Sequence, residues 1–392
     1  MKIEVKPAIE NAPKPSLKNR LWGDRQKKIR TIICIVVGIV IILLASTIYA
    51  KFFVKETAST QTKKTNFLPS LKKVEEKKIE SPLSGVEYVE NIATRHPLGV
   101  MVENHPDARP QSGLDKAEIV YEAITEGGIT RFMGVFGPRD AEEVGPVRSA
   151  RTFFVTWIQE YDGYYAHAGG SKDGLAQIAS DSVMDLPHTT GYFERQPQAG
   201  IASEHTLYTS MANLYKLAEA KKYDTNASFT SLKFKSDEEL AKRGNGSEVI
   251  IPFSTDSYEV KWLYDKTENI YKRSIAGVPH KDKISGNRLT AKNVIIQTVG
   301  RQPIALAGAK PTFKFTTEGS GKATILRDGQ KIDATWKKST TSERTKFYDS
   351  TGDEIKFNRG VFWYEIIPSE VTPTFSETIL TEPIEPTKPI AN

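Results

Sequence analysis

Seven arginines crowd into residues 86–215: Arg95, Arg109, Arg131, Arg139, Arg148, Arg151 and Arg195. Only Lys116 and Lys172 accompany them, although lysine outnumbers arginine over the whole chain. A surface needing positive charge alone would use lysine as the rest of the chain does. Arginine is favoured where a planar fork must hold a carboxylate or phosphate. Five of the six histidines (His96, His105, His167, His188, His205) share the stretch. The candidate anion ligands are Asn104, Arg109, Arg131, Arg148, Arg151, Ser171 and His205. Several of these arginines could equally pair with internal acids such as Glu118 and Glu122.

Within Gly145-Pro146-Val147-Arg148-Ser149-Ala150-Arg151, the spacing predicts a helix over 147–161 with Pro146 at its first position. Arg148 and Arg151 would then share a face in the first turns, where free N–H groups already favour an anion. The bland alternative is a structural ion pair with nearby glutamates. His167-Ala168-Gly169-Gly170-Ser171 reads as a strand ending in a glycine turn, with Ser171 as a helix cap; a nucleophilic serine is only weakly signalled. Glu103, Glu126 and His167 are the candidate acid–base residues, with Glu122 a further carboxylate. The histidines are scattered, HExxH is absent and no cysteine pair exists, so no metal and no cofactor are expected.

The elements that must position these groups change character along the chain. Residues 86–223 alternate strands (98–104, 129–137, 163–171, and 117–124 as strand or short helix) with helices, an α/β pattern. Residues 224–248 read as a connector with one short helix. Residues 249–368 are short, alternating and turn-bounded, an all-β pattern expected to close as a small sandwich or barrel. Asp328-Gly329 is a hairpin turn. Trp262, Trp336 and Trp363 are expected in the β core, with sugar stacking the alternative. The fold class is therefore a mixed α/β first domain followed by an all-β second domain, behind an N-terminal transmembrane helix.

That helix is read from residues 31–50, TIICIVVGIVIILLASTIYA, which carry no charge. At about 1.5 Å rise per residue the run approaches the roughly 30 Å hydrocarbon core of a bilayer. Nine basic and three acidic residues precede it, so residues 1–30 are placed in the cytoplasm and the rest outside. The same tail accounts for the whole net charge of +6. The remainder balances at zero, which removes nucleic acid as a partner. A cleaved signal peptide is the rival reading, but the basic segment and the apolar run are both too long. Residues 51–85, rich in Lys, Glu, Ser and Thr, are expected as a flexible stalk, and the Pro/Thr/Glu-rich 369–392 as a disordered tail.

Glu103-Asn104, Arg109-Pro110-Gln111-Ser112-Gly113, Glu126-Gly127-Gly128-Ile129-Thr130-Arg131, the 145–151 segment and the 167–171 segment occur in order. Together with Gly329, Trp336-Lys337, Phe347-Tyr348-Asp349, Gly352 and Gly360, they resemble the YerB-like family of bacterial envelope proteins over residues 86–368. The resemblance implies an extracytoplasmic, membrane-attached protein and supplies no reaction. Family members are often lipoproteins. Here Cys34 opens the apolar run instead of following it, so a transmembrane anchor replaces the lipid. The first expectation is a module binding an anionic envelope component, such as peptidoglycan or a phosphate-bearing polymer. An enzyme acting on cell-wall glycan is the second, and a scaffold for another membrane protein the third. A pocket joining Glu103, Arg148 and His167 would favour the first two.

Overall fold

The computed structural model describes residues 76–246, 248–304 and 312–376. The expected span at 31–50, with the cytoplasmic tail, lies outside them. Among the described residues no helix is long and apolar enough to cross a membrane.

Ten strands form one central sheet. Five come from the first half: β1 (Leu98–Glu103), β2 (Ile119–Ile124), β3 (Thr130–Phe136), β4 (Tyr164–His167) and β5 (Asp185–Pro187). In the second half a separate sheet begins with β6 (Glu248–Pro252), β7 (Glu259–Asp265) and β8 (Ile270–Ile275). The chain then returns to the central sheet with β9 (Asn293–Val299), β10 (Gly319–Arg327), β11 (Gln330–Lys338), β12 (Lys346–Tyr348) and β13 (Phe362–Pro368). A last strand, β14 (Thr374–Ser376), pairs with β6. The central order is β12-β11-β10-β9-β13-β2-β3-β1-β4-β5.

The joint between the halves is the parallel pair β13–β2, which sets Tyr364 beside Tyr121 and Glu365 beside Glu122. The second half is strand-rich as expected. It does not close as a sandwich of its own, because β13 completes its hydrogen bonds on β2. Strands β1, β2, β3 and β13 are buried along their whole length, which explains their apolar runs. On one face Val120, Phe132, Val294 and Trp363 pack with Trp262 and Tyr271 of the second sheet and with Leu214 and Leu217 of helix α3 (Met211–Ala220). On the other, Tyr121, Met133 and Tyr364 pack with α1 (Thr152–Gln159), whose Trp157 stacks on Tyr121 at 5.3 Å. Helix α2 (Lys172–Ser180) adds Ile178 to that side. Trp262, Trp336 and Trp363 are buried core residues, so their rings are closed to sugar stacking.

Three expected boundaries shift. The presumed stalk is already folded by Lys78, where Lys78–Glu80 pairs with Glu87–Val89 and Leu83 is buried. The presumed connector shows no helix among its described residues; instead Phe234–Lys235 pairs with Phe357–Asn358. The presumed tail supplies β14, because β6 would otherwise expose an unpaired edge.

Candidate functional site

The helix expected from Val147 begins only at Thr152. Before it, the chain runs extended between the ends of β1 and β4. The Arg148 N–H donates to Met101 O, the Ala168 N–H to Arg148 O, and the Ala150 N–H to Gly169 O. Pro146 follows a cis peptide bond from Gly145 and is no helix N-terminus. Gly145 has φ +151°, and a Cβ there would lie 2.8 Å from Leu207 O. Arg148 and Arg151 are thus delivered by an extended segment that ends at the α1 N-cap, Arg151, and the pairing of both in the first helical turns expected from their spacing does not form.

They instead join a charged rim. Arg148 Nε lies 2.9 Å from Glu103 Oε2, and its terminal nitrogen donates to Glu204 at 3.2 Å. His205 Nδ1 lies 2.8 Å from the same Glu103 oxygen. Arg151 pairs with Glu126. Arg131 donates to Ser149 O at 3.0 Å and stands 3.9 Å from Glu126. Burial, aided by the neighbouring Arg151 charge, pushes the Arg131 guanidinium down to about 10. Burial favours neutral Glu126, but the Arg151 hydrogen bond and the Arg151 and Arg131 charges outweigh it and hold that carboxyl below its usual range. Arg148 does the same for the exposed Glu204.

Beneath the rim lies a buried hub. Asn104 donates to Glu122 at 3.1 Å and to Thr130 at 2.6 Å. Its own oxygen accepts from Arg109 Nε and from Gln111 Nε2, both at 3.0 Å. Gln111 accepts from His280, which accepts in turn from Arg273, and Arg273 pairs with Glu122. Trp262 Nε1 donates to Glu365 at 2.7 Å. The Arg273 guanidinium sits 4.6 Å from the Trp363 ring centre. Burial, with Arg273 and Arg109 nearby, pushes the His280 imidazole well down, so it is neutral and can accept from Arg273. Burial, reinforced by Glu122, pushes the Glu365 carboxyl well up.

The predicted residues therefore divide. Glu103, Glu126, Arg131, Arg148, Arg151 and His205 meet at the rim. Asn104 and Arg109 belong to the hub, with Arg109 donating through Nε and one terminal nitrogen to the two Asn104 oxygens. His167 stands apart, with Nδ1 2.7 Å from Gly169 O and Nε2 2.8 Å from Asp185. Both ring nitrogens are engaged, so neither is open to a substrate proton. Ser171 caps α2, accepting from the Gly174 N–H at 3.2 Å. A surface cleft of about 710 Å³ beside Arg95 and Tyr215 is lined by other residues. Sequence reasoning missed Glu204, His105 and Asp107 on the rim and Gln111, Arg273, His280 and Glu365 in the hub. His105 and Gln111 stood in the histidine cluster and the 109–113 motif without a role, and Glu204 adjoins His205 in sequence.

Fold and site define a sheet-rich protein of few helices whose two halves share one sheet and one polar hub. The chain belongs to the family described as "Protein of unknown function (DUF3048)": its N-terminal domain matches residues 83–224 and its C-terminal domain residues 249–364. It is 34% identical over 298 residues to "Putative lipoprotein YerB" of Bacillus subtilis (strain 168), covering 74% of this chain and 87% of that protein. The crystal structure of YerB from Bacillus subtilis superposes with a TM-score of 0.67 at 30% identity, over 76% of this chain and 99% of that one.

Proposed function

We propose that the protein is held at the outer face of a bacterial membrane by residues 31–50 and binds an anionic envelope polymer, peptidoglycan or a phosphate-bearing chain, at the rim. The observation that carries this reading is the convergence of Arg131, Arg148 and Arg151 on only two inner carboxylates, Glu103 and Glu126. The third carboxylate, Glu204, is 63% exposed and holds Arg148 by a single 3.2 Å bond. It occupies the place a ligand carboxylate or phosphate would take, and an incoming anion displaces it at little cost because it returns to water.

The test uses the full-length chain in detergent, sedimented with purified wall material with and without its phosphate polymers. Arg148→Ala/Arg151→Ala is expected to weaken binding on the order of 10–100-fold, from the roughly 1.5–3 kcal/mol of a hydrogen bond to a charged group. Glu204→Gln frees Arg148 and is expected to tighten binding, a gain no misfolding would produce. Unchanged binding in both variants would sink the reading. A second reading, acid–base chemistry on wall glycan, is favoured by one observation: Glu103 is 4% exposed and bonded to an imidazole at 2.8 Å, as an oriented acid–base pair requires. New glycan fragments by mass spectrometry, absent with Glu103→Gln, would establish it.

A further inference from the structure

We infer that His105, Asp107 and His205 form a site for a divalent transition-metal ion, with Glu103 fixing His205 as its anchoring ligand. Each of the three offers a ligand atom, and these atoms lie within 4.8 Å of one another. The two imidazoles stack with centroids 4.8 Å apart and planes inclined by 16°, so their edges run side by side. His205 Nδ1 faces a carboxylate oxygen of Glu103 at 2.8 Å. An ionised carboxylate only accepts, so the proton sits on Nδ1 and the Nε2 lone pair is left open. A carboxylate behind a histidine is the arrangement that orients metal-binding imidazoles and raises their basicity. Glu103 is itself held by Arg148, so His205 is fixed from two shells back.

The ligand atoms must close up. Zinc–nitrogen bonds of about 2.0–2.1 Å place tetrahedral ligand atoms about 3.4 Å apart. His205 is buried, and the movement falls to His105 and Asp107, whose side chains are 33% and 59% exposed. They flank Pro106 on a single turn of 3-10 helix, Pro106–Ala108. The bond from the Asp107 N–H to His105 Nδ1 is long, at 3.3 Å, and is readily exchanged for a metal bond. Two imidazoles and one carboxylate suit Zn²⁺ with a fourth position open. Glu204 Oε1 lies 4.0 Å from His205 Nε2. Asp107 and Glu204 bring carboxylates to the exposed side of the site, and Arg148 pairs with Glu103 and Glu204. The site stands on its own geometry and does not depend on the polymer reading.

The experiment takes the tag-free full-length chain in detergent, strips it with a chelator and titrates it calorimetrically with ZnCl₂; metal analysis after dialysis gives the stoichiometry. One equivalent of Zn²⁺ per chain is expected. His105→Ala and His205→Ala should each lose at least about 100-fold in affinity, and Glu103→Gln about 10–100-fold. His96→Ala, His188→Ala and Cys34→Ser should leave binding unchanged. His105 is on an exposed loop, so its variant keeps the fold even if His205→Ala does not, and circular dichroism checks this. No retained Zn²⁺, retention untouched by His105→Ala, or retention abolished by Cys34→Ser would each overturn the assignment.

Discussion

Glu365 places a specific pH dependence on stability. It is fully buried on β13 beside Glu122 on β2, and one guanidinium, Arg273, serves both carboxyl groups. Oε1 accepts from Trp262, whereas Oε2 meets no donor among the described residues. A carboxylate with one oxygen unsatisfied in a dry core is costly, and burial together with Glu122 pushes the Glu365 carboxyl well above its usual value of 4.5. The folded chain therefore retains a proton that the unfolded chain releases. That contribution is fully present below about pH 4.5 and is lost as pH rises through the folded value, at about 1.4 kcal/mol per pH unit. Glu365→Gln mimics the protonated form: its oxygen still accepts from Trp262 and its amide can donate to Glu122. The stability of the variant minus that of the wild type should thus climb by about 1.4 kcal/mol per pH unit above 4.5, up to the folded value. Denaturant titrations at half-unit steps from pH 4 to 8, read by tryptophan fluorescence, report directly, because Trp262 and Trp363 adjoin the network. Parallel pH profiles for the two proteins would refute the reasoning.

Gly329 closes the β10–β11 hairpin at φ +68°, and an added Cβ would lie 2.4 Å from the Tyr264 ring and 2.7 Å from Gly244 O. Gly329→Ala should cost about 2–4 kcal/mol, from the left-handed backbone and the overpacking, seen as a lower denaturation midpoint at unchanged slope. Ser171→Ala removes only the α2 cap and should cost about 1 kcal/mol while leaving polymer binding intact. A loss of binding there would restore Ser171 to the site.

Local pattern carried β1, β3, β4 and β13 because they are buried on both faces and so read as apolar runs, whereas β7 and β11 alternate between buried and exposed positions. Asp328-Gly329 was legible because two successive positive φ angles leave few residue choices. The start of α1 was misread for a physical reason. Val147–Arg151 has no helix breaker after Pro146, and its extended form is imposed by Met101, Ala168 and Gly169, which supply hydrogen bonds from distant strands. The shared sheet was invisible on the same grounds: β2 and β13 pair across some two hundred and forty residues, and no local signal encodes that register.

The arginines concentrated in the first half do not share one role. An arginine and a carboxylate look alike in sequence whether they meet in the core or at the surface. Burial separates them: Arg273 faces Glu122 where no water competes, while Arg148 reaches Glu204 across a largely exposed bond. The first kind of pair joins the halves, because removing one partner strands a charge and costs about 3–5 kcal/mol. The second contributes about 0–1 kcal/mol and can be exchanged for a ligand without unfolding anything. The binding proposed for the rim rests on that difference. The Glu103–Asn104 step spans it, since Asn104 belongs to the hub and Glu103 holds Arg148 and His205. A ligand that moves Glu103 therefore acts on a residue whose neighbour ties the two halves together.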